Sequence, residues 1–205
     1  MMSRLASSSD ELHPRQPQAP PRGVLDARAF DALFRECAAD VHAYAISLLG
    51  ERAAAEDVTA LAFERLYRAR GRLDRRRGTP RAWLFAIARN AALDELRRRG
   101  RRPEYELDSE RVGGLDASSA FAASGHGDAD EALERAERRA TVRAALASLP
   151  LREREVVLLK FHGQLSNAEL ARALGISESN AGTRVHRALT RLRACCADLD
   201  HEEVA

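Results

Sequence analysis

Two helix-forming segments joined by a tight turn, at residues 166–193, constrain the fold of this chain more than any other feature. Ser166 and Glu169 have the spacing of a capping box, in which both side chains accept bonds from backbone N–H groups at a helix start. Gly175 provides the left-handed residue that ends this helix, and Ser177 caps a second, longer one. Because apolar residues recur at helical spacing in both segments, the sequence predicts a short helix, a turn and a long helix.

The second of these helices carries polar and basic side chains on the side that its apolar residues leave free. A short helix followed by a longer arginine-bearing helix is the arrangement that lays a recognition helix in the major groove of DNA. Arginine and asparagine have the best geometry for bonding guanine and adenine edges. The alternative is a plain helical hairpin with a solvated basic face. The predicted DNA contacts are Asn167, Ser177, Glu178, Ser179, Asn180, Thr183, Arg184 and Arg187.

Charge is distributed in blocks, although the formal net charge is only +2. Residues 65–102 contain fourteen Arg and three acidic residues, a net of +11 (14 − 3). Residues 103–130 contain one Arg and seven acidic residues, a net of −6 (1 − 7), and residues 141–196 contain nine basic and four acidic residues, a net of +5 (9 − 4). Two basic blocks on either side of an acidic one predict two contacts with a polyanion.

The hydrophobic pattern divides the chain into two helical domains, without strand alternation. Residues 1–25 are rich in Ser, Pro, Arg and Gln and predict a disordered N-terminal extension. Residues 26–102 predict a first helical domain, and residues 131–196 a smaller one that contains the helix-turn-helix. Residues 103–130 predict a flexible acidic linker, and residues 197–205 an acidic tail. The predicted fold is all-α, with two small helical domains on a tether.

Helix boundaries follow from local signals. A first helix is expected to begin near Asp26 and to end at Gly50, and a second to cover about 52–69. Thr79 and Pro80 form an N-cap and a proline at the first helical position, after a basic loop. Further helices are expected at about 131–148 and 151–161.

Several function classes find no support in the residues. Cys37, Cys195 and Cys196 lack metal-ligand spacing and are too few for a disulfide framework, and no carboxylate cluster or nucleophile–base pair points to an enzyme. There is no apolar run of about 18 residues and no signal-peptide pattern. We therefore expect a cytoplasmic protein without enzymatic activity, without a cofactor or metal, and without a membrane segment.

Segments of both predicted domains resemble bacterial RNA polymerase sigma factors. Residues 55–59, Phe63, 83–90 and 94–98 are similar to the second conserved region of these proteins, and residues 148–193 to the fourth. Order and spacing match, and the short linker leaves no room for an intervening domain. The chain therefore resembles the extracytoplasmic-function (ECF) group.

The resemblance implies a specificity subunit that binds core RNA polymerase and directs it to promoters. Region 2 then reads the −10 element and region 4 the −35 element, so that promoter DNA and core polymerase are the implied partners and an anti-sigma factor is a further candidate. In region 2, the implied contacts to the coiled coil of the polymerase β′ subunit are Glu56, Asp57, Thr59 and Phe63. The implied −10 contacts are Arg75, Arg76, Arg77, Arg81, Arg89, Asn90, Arg97 and Arg98.

Some positions leave alternatives open. Ala60 and Leu61 stand where the family often has polar or acidic residues, and Gly182 stands where it often has Lys. Gly182 is either a point of close approach to DNA or an uncontacted position, and Trp83 is either a core residue or a stacking platform for a base. The alternative function is a helix-turn-helix regulator that binds DNA without joining polymerase. Co-purification with core polymerase separates the two functions.

Overall fold

The protein is a bundle of helices, and the computed structural model describes residues 25–74, 78–100 and 129–202. Within these ranges there are seven α-helices, one 3-10 turn at Arg70–Arg72 and no strand. The predicted N-terminal extension up to residue 24, most of the predicted linker and residues 203–205 lie outside the described part. In chain order the helices are α1 (Ala27–Leu49), α2 (Arg52–Ala69), α3 (Pro80–Arg99), α4 (Ala129–Ser148), α5 (Leu151–Phe161), α6 (Asn167–Leu174) and α7 (Glu178–Glu202).

Local capping places the ends of α1 and α3 where the sequence predicts them. Oδ1 of Asp26 accepts a hydrogen bond from the backbone N–H of Ala29 at 2.8 Å, and Gly50 ends α1 with a φ of 73°. The hydroxyl of Thr79 caps α3 by accepting from the N–H of Ala82 at 3.2 Å, with Pro80 in the first turn. These bonds satisfy N–H and C=O groups that a helix end leaves unpaired.

The helix-turn-helix forms as predicted. Ser166 and Glu169 make both bonds of the capping box, and Gly175 ends α6 with a φ of 68°. The hydroxyl of Ser177 accepts from the N–H of Asn180 at 3.3 Å and so caps α7. This last helix continues through Glu202, beyond the predicted domain boundary at residue 196, because residues 197–202 contain neither Gly nor Pro to end it.

The first three helices pack around one apolar centre. Tyr44 of α1 and Phe85 of α3 are fully buried and meet edge to face, with ring centroids 5.8 Å apart. Leu66 of α2 and Leu84 of α3 are also fully buried beside them. Burying one such side chain contributes roughly 1.5–3 kcal/mol to stability.

The two predicted domains share this core instead of standing apart. The same buried cluster that contains the apolar residues of α1, α2 and α3 also contains Leu158 and Leu159 of α5, Leu165 of the following loop and Leu170 of α6. Accordingly, α1 packs against α5 and α3 packs against α6. A smaller cluster of Leu149, Val157 and Ala188 lies within the second half. The sequence predicted both halves but gave no indication of this packing between them.

Candidate functional surfaces

The start of α7, the predicted recognition helix, is an exposed polar surface. Ser177, Glu178, Ser179, Asn180, Thr183, Arg184 and Arg187 are all exposed. The apolar side of α7 is held by Ala181 and Ala188, which are fully buried. The predicted −35 contacts on this helix therefore lie together on one accessible face.

Two side chains on this face are already oriented by neighbours. Oδ1 of Asn180 accepts a hydrogen bond from Nε of Arg184 at 3.2 Å, which directs the guanidinium along the helix. The hydroxyl of Thr183 donates to the carbonyl of Ser179 at 3.1 Å. Ser177 serves as the helix cap, so its hydroxyl is engaged before any DNA is bound.

Asn167 lies apart from the exposed face, at the first residue of α6. It is half-buried, and its Oδ1 accepts from Nζ of Lys160 at 3.3 Å. A β-carbon added at Gly182 would lie 3.5 Å from the Asn167 side-chain nitrogen, so α6 and α7 approach each other closely here. Asn167 is thus placed at the helix–helix contact as well as at a helix N-terminus.

The outer side of α2 is a second exposed surface. Glu56 and Asp57 are exposed, and Glu56 accepts a hydrogen bond from Nε of Arg52 at 2.9 Å. Ala60 and Glu64 are also exposed and follow Asp57 at helical spacing. The sequence analysis singled out Ala60 only as a departure from the family and did not select Glu64.

The other two predicted contacts of α2 point inward. Phe63 is only 5% exposed and packs against the rings of Phe30 and Phe34, with centroid distances of 6.2 and 4.7 Å. Thr59 is half-buried, and its hydroxyl donates to the carbonyl of Ala55 at 2.7 Å. Phe63 and Thr59 therefore shape α2, while Glu56 and Asp57 present their side chains outward.

Arg81, a predicted −10 contact, is held at the junction between the two halves. Within the first half, its guanidinium donates to the carboxylate of Asp40 at 2.5 Å and to Sγ of Cys37 at 3.2 Å. In the second half, it donates to the backbone carbonyls of His162 and Gly163, both at 2.8 Å. Burial acts to lower the pKa of Arg81, but the hydrogen bond to Asp40 and the charges of Cys37, Asp40 and Glu36 together outweigh burial, so that the pKa is raised. Burial lowers the pKa of His162, with Asp40 opposing the shift.

Arg89 makes a second link across the junction. Its Nε donates to Oε1 of Glu155 in α5, and its Nη1 donates to Oδ1 of Asn90 at 3.2 Å. The side chains of Arg89 and Glu155 are only 19% and 7% exposed. Glu155 was not selected from the sequence, although a carboxylate directly before the apolar residues 156–159 was a signal for a buried charge that needs a partner.

Two further predicted −10 residues, Arg97 and Arg98, lie away from this junction. Arg97 pairs with Asp94 at 2.7 Å, and Arg98 pairs with Glu95 at 2.8 Å, both on the surface near the end of α3. Hydrogen bonds from Arg98 and Arg99 lower the pKa of Glu95. Arg75, Arg76 and Arg77 lie outside the described residues.

Glu169 of the capping box also reaches across the junction. Its Oε1 accepts from the hydroxyl of Thr79 at 2.6 Å, while its Oε2 accepts from the backbone N–H of Ser166 at 3.1 Å. Burial raises the pKa of Glu169, but the hydrogen bonds from Thr79 and Ser166 outweigh it and lower the pKa to about 2. The same carboxylate therefore caps α6 and bonds the cap residue of α3.

Trp83 lies at the edge of the junction and is half-buried. With Glu169, Arg172 and Ala173 of α6 it lines a cavity of about 390 Å³. Its place is therefore intermediate between the two predicted alternatives, neither deep in the core nor free on the surface.

The described residues contain no group of His, Cys, Asp or Glu that is arranged to hold a metal ion. None of the helices between residues 25 and 202 that the structure describes is long and apolar enough to cross a bilayer.

Both halves of the chain match known families. Residues 33–102 match the family model of sigma-70 region 2, and residues 139–192 match that of sigma-70 region 4. The first match covers most of α1 and all of α2 and α3, and the second covers the last half of α4, all of α5 and α6 and most of α7.

Similar proteins match over most of their length. The ECF RNA polymerase sigma factor SigL of Mycobacterium tuberculosis is 32% identical over 86% of this chain and 93% of its own length. SigW of Bacillus subtilis, also an ECF RNA polymerase sigma factor, is 34% identical over 74% of this chain and 80% of its own.

Two solved structures share the fold. CnrH, solved in complex with the cytosolic domain of CnrY, has a TM-score of 0.55 and 25% identity and covers 82% of this chain and 88% of its own. The sigma factor RpoE of Bartonella quintana, crystallised with the anti-sigma factor NepR, has a TM-score of 0.59 and 24% identity, with coverages of 82% and 96%.

Proposed function

The chain belongs to the ECF group of RNA polymerase sigma factors, and on that premise we propose which of its surfaces binds core polymerase and which binds promoter DNA. The protein binds core RNA polymerase and directs promoter-specific initiation of transcription. It carries out no chemistry of its own, acts in the cytoplasm where polymerase and promoter meet, and contributes affinity and base selection. The regulator that binds DNA without polymerase is not favoured, since region 2 matches over residues 33–102.

The observation that best supports this assignment of surfaces is the exposed face of α7. Asn180, Thr183 and Arg184 lie on the first turns of a helix that α6 holds in place through a tight turn. An arginine that is held by a neighbouring side chain loses less conformational freedom when it bonds a base. We therefore assign Arg184 to a base edge of the −35 element, with Asn180 orienting it, and Arg187 to a phosphate.

The outer side of α2 is the surface that we assign to core polymerase. Glu56 and Asp57 are its exposed acidic residues, and Ala60 and Glu64 extend the same side of the helix. Glu56 and Glu64 pair with Arg52 and Arg68 of the same helix, so that acidic and basic groups lie side by side on this surface. Phe63 supports this surface from within, because it packs α2 against α1.

Charge reversal on α2 tests the assignment. Asp57→Arg is expected to abolish co-purification with core polymerase and transcription from a cognate promoter, while the helical content stays unchanged. Glu137→Arg is the matched control, because Glu137 is also an exposed acidic residue on a helix but lies on α4. Equal recovery of core polymerase by wild type and Asp57→Arg would remove α2 from the interface.

Two variants test the assignment of α7. Arg184→Ala is expected to cost about 1–3 kcal/mol in binding by holoenzyme and to relax the preference at one base pair. Arg187→Ala is expected to weaken all sequences alike and to reduce the dependence on salt. Equal, sequence-independent losses for the two variants would exclude a base contact by Arg184.

A partner that regulates the protein is a separate proposal. One structural relative was crystallised with an anti-sigma factor, and its fold is shared by this chain. We expect an anti-sigma factor for this protein as well. Purification of the chain from its own cells and identification of a stoichiometric partner other than polymerase subunits is the measurement that checks it.

A further inference from the structure

A group of four aromatic rings lies where the first turns of α1 pack on the last turns of α2. The Phe30 ring meets the rings of Tyr67 and Phe63 edge to face, with centroids 5.1 and 6.2 Å away, and Phe34 meets Phe63 at 4.7 Å. Phe63 is buried, whereas Phe34 and Tyr67 are 48% and 43% exposed. We call these four residues the aromatic patch. Contiguous apolar side chains that remain in contact with water mark a surface that another segment covers.

The chain enters the fold directly beside the aromatic patch. The backbone N–H of Leu25 donates to the carbonyl of Arg70 at 3.2 Å, and the Leu25 side chain is buried. The guanidinium of Arg70 lies over the Tyr67 ring, with Cζ 3.7 Å from the ring centroid, and donates to the Tyr67 carbonyl at 2.9 Å. Leu25 is thus bonded to a residue that touches the patch, and whatever precedes it in the chain starts within reach of these rings.

The residues before Leu25 lie outside the described part of the chain, but their sequence contains a regular row of prolines. Pro14, Pro17 and Pro20 recur every third residue, and Pro21 breaks the period. A polyproline II helix has three residues per turn, so that the first three prolines fall on one edge and Pro21 on another. Segments of this kind bind to aromatic surfaces, because proline fixes the backbone before binding and little conformational entropy is lost.

The dimensions of the proline row fit the aromatic patch. At about 3.1 Å per residue, Pro20 lies within roughly 15 Å of Leu25 along the chain. The two turns from Pro20 to Pro14 advance about 19 Å. Neighbouring rings of the patch have centroids no more than 6.2 Å apart, so a row of this length crosses the patch from Tyr67 to Phe34.

We propose that the edge formed by Pro14, Pro17 and Pro20 binds the aromatic patch in the free protein, and that core polymerase displaces it. Tyr67 follows Ala60 and Glu64 at helical spacing on the same side of α2, so the bound segment lies against the surface assigned to polymerase. The proposal rests on that assigned function of α2. It makes the N-terminal extension a competitor for the polymerase-binding surface.

The short connection to Leu25 explains why this segment, and not a separate molecule, occupies the patch. A tether of a few residues gives the proline row an effective concentration in the millimolar range. A weak contact between prolines and aromatic rings is therefore populated within one chain, although it would be negligible between dilute molecules. The contact lowers the apparent affinity for polymerase in proportion to the fraction of molecules in which the patch is free.

Tyr67 supplies the probe for this contact. When 3-fluorotyrosine replaces tyrosine, each of the three tyrosines of the chain gives a 19F resonance, and the variant Tyr67→Phe identifies the one from the patch. A proline ring against the half-exposed Tyr67 ring replaces water there and so changes its chemical shift. The resonance therefore distinguishes the covered patch from the open one.

The experiment compares the full-length wild type with two variants of the proline row. The first combines Pro14→Ala, Pro17→Ala and Pro20→Ala, and the matched control is Pro21→Ala, which lies off the edge. In the triple variant, the Tyr67 resonance is expected to move to the position found in a chain that lacks residues 1–23. The affinity of the triple variant for immobilised core polymerase without DNA is expected to rise about three- to tenfold. Pro21→Ala is expected to match the wild type in both readouts.

The results separate this proposal from the function on which it rests. A triple variant that equals Pro21→Ala in either readout would overturn the proposal. A wild-type Tyr67 resonance that moves with protein concentration would assign the contact to a second copy of the chain and would overturn it as well. Failure of every variant to bind core polymerase would instead refute the proposed function, and the Tyr67 resonance would still decide whether the proline row covers the aromatic patch.

Discussion

At Gly182, a β-carbon would meet the side-chain nitrogen of Asn167 at 3.5 Å, which is an ordinary van der Waals contact. The helix α7 can therefore accept alanine at this position without moving α6. Since glycine in a helix interior costs up to about 1 kcal/mol relative to alanine, Gly182→Ala is expected to raise the free energy of unfolding by a few tenths to about 1 kcal/mol. Thermal melts of the two full-length proteins by circular dichroism measure this, and a lower melting temperature in the variant would contradict it.

The same variant addresses the two interpretations of Gly182 that the sequence left open. If DNA approaches closely, binding of a −35 duplex by holoenzyme weakens in Gly182→Ala although the helix is more stable. If the position is uncontacted, only the melting temperature changes. The neighbouring Asn167 does not complicate this choice, because an alanine β-carbon 3.5 Å from its side-chain nitrogen leaves the distance between α6 and α7 unchanged.

Glu169 makes the stability of the free protein depend on acid pH. Its pKa is lowered to about 2, below the ordinary carboxyl value of about 4.3, although its burial acts in the opposite direction. A carboxylate whose folded pKa is lowered stabilises the fold fully above its unfolded pKa, and this contribution is lost as the pH falls from about 4.3 towards about 2. Glutamine can also complete a capping box but cannot ionise. We therefore expect the melting temperature of Glu169→Gln to fall less steeply than that of the wild type between about pH 4.5 and 3. Parallel curves would contradict the prediction.

At the scale of the helix, α2 has buried residues that stabilise the fold and exposed residues that can contact a partner. Phe63 is buried against Phe30 and Phe34, so Phe63→Ala is expected to cost roughly 3–5 kcal/mol in unfolding free energy. Asp57 is exposed, so Asp57→Arg is expected to change stability by less than about 0.5 kcal/mol. Urea unfolding of both variants checks this, and a Phe63→Ala protein as stable as the wild type would show that the ring is not part of the core.

The helices themselves could be predicted from the sequence because their ends depend on residues close in the chain. The side chains of Asp26, Thr79 and Ser166 each accept a hydrogen bond from an N–H group only three residues later in the chain. Gly50 and Gly175 end their helices through their own left-handed backbone conformation. The continuation of α7 to Glu202 was missed because its acidic residues suggested a tail, although none of them ends a helix. The inward direction of Phe63 was missed because the resemblance identifies a segment and not the side of the helix on which each residue lies.

At the scale of the whole molecule, the shared core predicts cooperative unfolding. Leu158 and Leu170 of the second half belong to the same buried cluster as Leu66 and Leu84 of the first. Neither half can unfold without exposing apolar surface of the other, so the free protein is expected to give one calorimetric transition. In Glu155→Gln, where the contact is weakened, the transition is expected to broaden or to split. Two separate transitions in the wild type, each matching an isolated half, would contradict the prediction.

The packing between the halves was beyond sequence reasoning for a physical reason. Arg89 and Glu155 are 66 residues apart, and Thr79 and Glu169 are 90 apart. No periodicity or capping rule joins residues at such distances, and a charged residue such as Arg81 is compatible with a DNA contact and with a buried hydrogen-bonding centre alike. The sequence could therefore indicate which residues are candidates for contacts with polymerase and DNA. Which of those residues are exposed could be determined only from the tertiary structure.

The bonds of Arg81 and Arg89 across the junction also limit how freely the two halves can be exchanged between relatives. A chimera that takes region 4 from another sigma factor replaces Glu155 and the loop at residues 162–163 along with the recognition helix. Such a transplant alters the predicted −35 contacts and, at the same time, the hydrogen bonds that hold the two halves together. A stable chimera is therefore expected to need matched residues at positions 89 and 155, and these two positions are expected to have changed together among natural relatives.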